Sequence, residues 1–293
     1  MKDLFKILFM ISIILIVYIY RNSISNYITD NIIYHGSNKI LTYNEYYLDN
    51  NYLFVQNIDS KDVNNYQDLL NIFYTVINSG DDGYIFNCNY EKCLDDVDNL
   101  ISDNITISEI NNFVHPFNSF STINIDILSN NKVSINIKRN YNENKIEFVK
   151  TYINQFISDN INDNMSDIDK IKAFHDFIIN STVYDENLVN SNYTAYDLII
   201  TGKSICGGYS DVLAIYLNML GIQNYKIASD NHIWNLVKIN DKWYHIDMTW
   251  DDPVSNDGKQ YLLHNFFMIT TNELFKLDNI EHNYNKNIYL EAN

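Results

Sequence analysis

The most constraining feature of this sequence is a hairpin pattern in its C-terminal third. Two runs rich in β-branched and aromatic side chains, 232–239 and 242–249, flank a two-residue Asn-Asp loop that tolerates the positive φ angles of a tight turn. With that loop length, alternate residues of both runs share one face, and Trp234 lies directly opposite Asp247. His232 is then a diagonal neighbour of Asp247, at a Cα separation of roughly 7–8 Å. The register predicts a hydrogen bond between imidazole and carboxylate.

A helix is predicted to begin at Cys206. Apolar side chains follow at helical spacing, and Gly221 comes after the last of them, where a helix C-terminus favours glycine. A thiol in the first turn lies near the positive end of the helix dipole, which favours the thiolate. Because glycine weakens a helix, we interpret Gly207 and Gly208 as leaving the surroundings of the sulfur open to a substrate backbone.

Three segments around these residues carry a family resemblance. They are 202–209 (GKSICGGY), 232–235 (HIWN) and 243–253 (WYHIDMTWDDP). Together they resemble the core of the transglutaminase-like superfamily, and more narrowly its bacterial, surface-exposed members. The resemblance covers roughly the C-terminal half of the chain. It implies a papain-like α+β fold, in which a helix with an N-terminal cysteine packs on an antiparallel sheet.

The same resemblance implies a role for each polar residue of the motif. Matched residue by residue, Cys206 is the nucleophile, His232 the general base and acid, and Asp247 the carboxylate that orients the histidine. The family often has a small residue after the histidine, where this chain has Ile233. That departure concerns the shape of the pocket more than its chemistry.

Further residues are expected to shape the site. The backbone N–H of Cys206 is the natural oxyanion donor at a helix start, and Tyr196 occupies a region where papain-like enzymes place an oxyanion side chain. Packing is the alternative role for Tyr196. The site walls are expected to be Gly207, Gly208 and two tryptophans, Trp234 and Trp250, with core filling as the alternative for the tryptophans.

The C-terminal half of the chain contains four other histidines besides His232. His245 shares the hairpin face with Asp247 and is the main rival base. His175 on an apolar helix face is interpreted as a hydrogen-bonded core residue, and His264 as structural within an aromatic strand. His282 lies in a polar tail and is given no role.

These residues predict ping-pong acyl transfer through a thioester on Cys206. An amine acceptor would give transglutamination, whereas water would give an amidase or cysteine peptidase. Protein or peptide amides, including those of a cell wall, are the expected substrates. A non-catalytic binding module that retains the fold is the alternative from another class, although every triad member is present. No calcium-site pattern is evident, so we expect no metal and no cofactor.

The charge of the chain excludes one class of partner. The net charge is −17, from 20 basic and 37 acidic residues. Binding to nucleic acid is driven largely by counterion release when basic side chains neutralise phosphates. The sequence therefore predicts no nucleic-acid partner.

The N-terminus predicts a membrane location. The run Leu4–Tyr20 is almost wholly apolar, and Lys2 and Lys6 favour a cytoplasmic N-terminus. We interpret residues 1–21 as an uncleaved signal anchor, which makes a single-pass membrane protein with an extracellular C-terminal region. Cleavage near the weak site Ser23-Ile24-Ser25 would instead give a secreted protein.

Two domains are expected to follow the anchor. Residues 22–141 are interpreted as a stalk and a small α+β domain, and residues 142–293 as the catalytic domain. In the small domain, Cys88 and Cys93 are close enough in sequence to form a small-loop disulfide, with two buried free cysteines as the alternative. Cys206 is then the odd thiol, which a secreted protein keeps chiefly for reactivity.

Overall fold

The computed structural model describes residues 18–21, 41–186, 193–254 and 259–293. Most of the segment interpreted as a signal anchor, Leu4–Tyr20, lies outside these ranges. Within them, no helix has both the length and the apolar character needed to cross a membrane. All the candidate site residues lie in the described ranges from residue 41 onward.

The first sheet belongs to the N-terminal part of the chain. Its strands are β1 (Asp62–Val63), β2 (Gly83–Cys88), β3 (Phe120–Ile127) and β4 (Lys132–Arg139), in the order β1-β2-β4-β3. β1 runs parallel to β2, whereas β2 and β3 pair antiparallel with β4. β3 and β4 thus form an antiparallel hairpin, in which Ile125 pairs with Ile135.

Three helices accompany this sheet. They are α1 (Tyr66–Ser79), α2 (Cys93–Ser102) and α3 (Asn104–Ile110). Helix α1 ends at Gly80, whose φ of 85° lies in the left-handed region that favours glycine. A disulfide joins Cys88, the last residue of β2, to Cys93, the first of α2. The structure thus has the bonded form rather than the two free cysteines.

The C-terminal part contains five helices and six strands among the described residues. The helices are α4 (Glu143–Asn160), α5 (Asp167–Ser181), α6 (Ala195–Thr201), α7 (Cys206–Met219) and α8 (Thr271–Leu277). The strands are β5 (Val183–Tyr184), β6 (Lys203–Ser204), β7 (Asn224–Ala228), β8 (Ile233–Ile239), β9 (Lys242–Ile246) and β10 (Phe267–Ile269). The second sheet is antiparallel, in the order β10-β9-β8-β7, and β5 pairs with β6 in a separate parallel ladder.

Helix α7 begins at Cys206, as its sequence predicts, and the left-handed Gly221 follows its last turn with a φ of 71°. The interpretation of the two glycines needs correction. A Cβ on Gly208 would lie 2.0 Å from Ser204 Oγ, and a Cβ on Gly207 would lie 3.0 Å from Tyr193 Cβ. Both glycines therefore permit close packing of neighbouring chain segments, rather than simply opening the surroundings of the sulfur.

The β8–β9 hairpin has the predicted register. Ile239 pairs with Lys242, and both loop residues between them have positive φ. The ladder ends at the pair Asn235–Ile246, three pairs short of the predicted runs, and the Asp247 N–H donates instead to the Phe266 carbonyl at 3.0 Å. On the other side of β8, Trp234 pairs with Ile227 of β7. The β8–β9 ladder does not include the predicted pair of Trp234 and Asp247, which corrects that prediction.

Two hydrophobic cores lie on opposite faces of the second sheet. One is shared with the N-terminal part, since Trp234 and Leu236 join the cluster that contains α1 and β2. The other contains Val237 and Ile239 together with apolar residues of α4, α5 and α7. The sheet is thus enclosed between the N-terminal part and the helices, and the end of its central hairpin carries the candidate site.

Candidate active site

The candidate nucleophile is the thiol of Cys206, the first residue of helix α7. Its side chain is partly exposed, and it is the single cysteine of the chain outside the disulfide. The preceding residue, Ile205, has an apolar side chain that cannot accept a hydrogen bond from the first-turn N–H groups. The helix dipole therefore favours negative charge at the sulfur.

A buried histidine–aspartate pair adjoins this thiol. His232 Nε2 lies 2.5 Å from Asp247 Oδ2, and the two side chains are almost fully buried. The other oxygen of the carboxylate accepts the N–H groups of Thr249 at 2.9 Å and Trp250 at 3.2 Å. His232 also has a side-chain hydrogen bond with Cys206. Since Nε2 is engaged by the carboxylate, Nδ1 is the ring nitrogen left for the sulfur.

The electrostatics of the pair favour an ionised state. Burial alone would lower the pKa of His232, but the charge and hydrogen bond of Asp247, together with the contact to Cys206, raise it to about 10. Burial would raise the pKa of the Asp247 carboxyl, and the hydrogen bonds and charges of His232 and His282 instead hold it well below its usual range. His232 is accordingly an imidazolium at neutral pH, ready to act as a proton donor.

A second histidine contacts the same carboxylate, and the sequence interpretation missed it. His282 Nε2 lies 2.9 Å from Asp247 Oδ2, and its Nδ1 lies 2.9 Å from Asp278 Oδ2. The ring is fully buried against Trp250 and Phe266. The sequence interpretation placed His282 in a polar tail without a role, whereas the folded tail returns it to the end of the hairpin, in contact with Asp247.

His245, the rival base, serves a different purpose. Its Nδ1 accepts a hydrogen bond from Trp234 Nε1 at 3.1 Å, and its Nε2 lies 2.9 Å from Thr271 Oγ1. Burial and, to a smaller extent, the nearby charge of His282 lower the pKa of His245 to about 3. A neutral ring that bridges β8 and α8 is structural, which favours His232 as the base.

Both predicted tryptophans lie beside the histidine pair. Trp234 stacks on His232 with ring centroids 5.5 Å apart and planes inclined by 16°. The ring of Trp250 lies 6.4 Å from that of His232 and 5.0 Å from that of His282. These aromatic rings shield the imidazoles from water while they also fill the core.

The tyrosine proposed for the oxyanion site lies elsewhere. The Tyr196 ring contacts Phe148 at a centroid distance of 5.5 Å and the Lys145 ammonium at 5.0 Å, both on α4. These contacts favour packing over an oxyanion role. Tyr184 of β5 lies near enough to the sulfur for the charge of Cys206, after burial, to raise the pKa of its phenol. Its sequence context carried no signal of this proximity.

A cleft of about 430 Å³ borders the start of helix α7. The N-terminal part contributes one wall, through α3 and residues such as Asn112 and Asn140, and the C-terminal part contributes Gly207 and Ile233. Ile233 occupies the position after the histidine, so it shapes this cleft. Gly207 and Ile233 of the lining directly follow Cys206 and His232 in sequence, whereas the thiol and the imidazole themselves do not line this cleft.

Two groups of histidine and aspartate have ligand atoms close enough to hold a metal ion. One is His232, Asp247 and His282, and the other is His175, Asp176 and His264. The first group is committed to mutual hydrogen bonds. In the second, the Lys172 ammonium lies 2.6 Å from Asp176 and 2.9 Å from His264. The expectation of no metal stays a prediction.

The other predicted histidine roles can now be compared with the structure. His175 is a buried, hydrogen-bonded core residue, as expected. His264 precedes strand β10 and is partly exposed, so its expected place within an aromatic strand is wrong. Its Nε2 lies 2.7 Å from Asp176, on the side of the domain that carries α5.

Residues 155–248 match the transglutaminase-like superfamily. The matched region contains the thiol, its histidine and the aspartate. Among curated proteins, none matches the chain in sequence.

Three solved structures are similar to part of the chain. A TGase is 20% identical, with a TM-score of 0.34 over 48% of this chain and 48% of that protein. A candidate cysteine protease from Cytophaga hutchinsonii is 12% identical, with a TM-score of 0.29 over 50% of this chain and 66% of that one. Menin is 12% identical, with a TM-score of 0.31 over 41% and 28%. The chain spans about half the length of the TGase.

Proposed function

We propose that the transglutaminase-like domain matched by residues 155–248 catalyses acyl transfer through a thioester on Cys206. The observation that carries this proposal is that the thiol contacts His232, and that His232 in turn is hydrogen-bonded to Asp247. It supplies a nucleophile at a helix start, a proton carrier beside it, and a carboxylate that orients the carrier.

In the first half-reaction the Cys206 thiolate attacks the carbonyl carbon of an amide. A C–S bond forms, and the oxyanion is stabilised by the backbone N–H of Cys206 at the helix start. The His232 imidazolium gives its Nδ1 proton to the amide nitrogen, the C–N bond breaks, and an amine leaves. Asp247 keeps Nε2–H in place throughout. The product is a thioester and a neutral imidazole.

In the second half-reaction His232 takes a proton from the acceptor as it attacks the thioester. An amine acceptor forms a new amide and releases the thiolate, which is transglutamination. Water forms a carboxylic acid instead, which makes the enzyme an amidase or cysteine peptidase. We propose the amine as acceptor, with water as the alternative.

The proposed substrate is a protein or peptide amide. The cleft beside Gly207 is open and is walled by both parts of the chain, which suits an extended polypeptide better than a small amide. We further propose that the domain acts at the cell surface, where cell-wall peptides are among its candidate substrates. This location rests on the sequence of residues 1–21 alone.

The test is incubation of the purified chain with glutamine-containing peptides and a labelled primary amine, followed by mass spectrometry. The expected results are an acylated Cys206 and an amine-labelled peptide. Cys206→Ala is the control and should form neither. Peptide deamidation or cleavage without amine incorporation would assign water as the acceptor. Failure to acylate Cys206 with any amide or peptide would contradict the proposed function.

A further inference from the structure

The C-terminal segment after α8 places a histidine on the catalytic carboxylate of the proposed triad. His282 lies 35 residues beyond Asp247 in sequence, yet its Nε2 is 2.9 Å from Asp247 Oδ2. Its side chain is fully buried, within ring contact of Trp234, Trp250 and Phe266. An imidazole held this firmly beside the triad calls for a function.

The hydrogen-bond partners of the His282 ring determine how many of its two nitrogens must carry a hydrogen. Its Nδ1 faces Asp278 Oδ2 and its Nε2 faces Asp247 Oδ2. An ionised carboxylate only accepts hydrogen bonds, so both ring nitrogens must donate, and the doubly protonated imidazolium alone has two N–H groups. Asp278 also accepts the backbone N–H groups of Glu281 and His282 at 2.9 and 3.0 Å, which favours its ionised form.

The same contacts fix the orientation of Asp247. Its Oδ1 accepts two backbone N–H groups, and its Oδ2 accepts from His232 and from His282. With four donors in place, the carboxylate cannot rotate without breaking several hydrogen bonds in a water-poor setting, where each lost bond is costly. Two carboxylates and two imidazoliums also balance in charge.

We propose that His282 is a positioning residue for the reaction proposed above: donating to Asp278 and to Asp247, it holds the Asp247 carboxylate in the orientation that engages His232. We call the contacts of His282 with Asp247 and Asp278 the clamp. The clamp is a property of the fold, whereas its effect on catalysis rests on the proposed function. Asp278 anchors the clamp at the end of α8, so the C-terminal segment is part of the site.

The test compares two substitutions that divide the two donors of the ring. In His282→Gln the amide nitrogen lies near the position of Nε2, so donation to Asp247 is kept and donation to Asp278 is lost. In His282→Asn the amide nitrogen lies near the position of Nδ1, so the reverse holds. We expect His282→Asn to lower the acylation rate by about 10–100-fold, as loss of an outer-shell partner typically does, with little change in KM. His282→Gln should stay within a few-fold of the wild type.

Alkylation of Cys206 gives a second readout that requires no substrate. The other two cysteines form the disulfide, so iodoacetamide reports on Cys206. We expect the labelling rate near neutral pH to fall in the order wild type, His282→Gln, His282→Asn. His264→Gln, which changes a partly exposed histidine on Asp176, is the matched control and should label like the wild type.

The outcomes separate the clamp from the chemistry. If no amide acylates Cys206 but labelling follows the expected order, the clamp stands and the proposed function fails. If both His282 variants lose labelling equally, in proportion to their melting temperatures, His282 is only structural and the inference is overturned. Wild-type labelling and turnover in His282→Asn would overturn it as well.

Discussion

His232 and His175 each form a buried pair with an aspartate through Nε2, and the two pairs differ in what the Nδ1 atom of the histidine faces. His232 Nε2 is 2.5 Å from Asp247, and His175 Nε2 is 3.1 Å from Asp251. The Nδ1 of His175 is occupied by a second carboxylate, that of Asp176, at 2.9 Å. His232 instead keeps Nδ1 for a thiol.

A histidine–aspartate pair is therefore not in itself a catalytic signature. The His175 pair is closed on both sides by carboxylates, and its ring is fully buried at the packed interface of α5. The His232 pair lies at the end of a hairpin, beside a helix start and a cleft. One arrangement stabilises the fold, whereas the other can move a proton to a substrate.

The largest contrast is expected from removing each histidine. His232→Ala should reduce acylation of Cys206 per folded molecule by at least about 10⁴-fold, because no other group carries the proton. His175→Ala should instead cost about 3–5 kcal/mol in the free energy of unfolding, since Asp251 is left as a buried, unpaired charge. Single-turnover kinetics and denaturant unfolding measure both. Activity that survives His232→Ala would remove the distinction between the pairs.

Replacing the aspartate of each pair should again lower turnover in one pair and stability in the other, with smaller effects than removing the histidine. Asp247→Asn should keep the fold and lower turnover by up to about 10⁴-fold through misorientation of His232, with a thiolate–imidazolium pair needing the carboxylate less than a serine triad does. Asp251→Asn should cost about 1–3 kcal/mol of stability through its contacts with His175 and the Phe266 N–H. Measuring turnover per folded molecule separates the two effects, and equal losses in both variants would argue against them.

The pH dependence of stability and of the acylation rate should also distinguish the His232–Asp247 pair from the His175–Asp251 pair. The pKa of His232 is raised from 6.5 to about 10, so its charge contributes fully to stability below pH 6.5 and that contribution disappears as pH rises through about 10. The difference in unfolding free energy between wild type and Asp247→Asn should therefore shrink from neutral pH to above pH 10. The alkaline limb of the acylation rate should also move toward neutral pH in Asp247→Asn. A pH-independent difference would contradict the ion pair.

The smallest effect on turnover is expected at His245, the second buried histidine of the hairpin. His245→Ala removes the bridge between Trp234 and Thr271 and should cost about 1–3 kcal/mol in the free energy of unfolding. Turnover per folded molecule should stay within a few-fold of the wild type. Loss of activity here, with His232→Ala tolerated, would transfer the role of base to His245.

The parts of the site that the sequence predicts are those governed by local rules. A two-residue turn and strict alternation fix which side chains of a hairpin share a face, so His232 and Asp247 could be placed together. Helical spacing and a terminal Gly221 similarly located the start of α7 at Cys206. The exact end of the ladder was not predictable, because it depends on the distant Phe266 carbonyl.

The parts that the sequence did not predict depend on contacts without a period. His282 reaches Asp247 through an irregular tail, and Tyr184 approaches Cys206 from a two-residue strand, so neither belongs to a pattern that local rules can interpret. The packing role of Gly208 depends on Ser204 coming close in space. Tertiary structure alone brings these groups to the hairpin.

The rate of alkylation of Cys206 is the most direct test of the central claim that the thiol, His232 and Asp247 act as one unit. At about pH 6 an ordinary thiol is almost entirely protonated and reacts slowly with iodoacetamide. We expect Cys206 to react much faster than a free cysteine at that pH, and His232→Ala to abolish the advantage at a temperature where circular dichroism shows the variant still folded. A wild-type rate equal to that of free cysteine, or equal rates in the two proteins, would contradict the account.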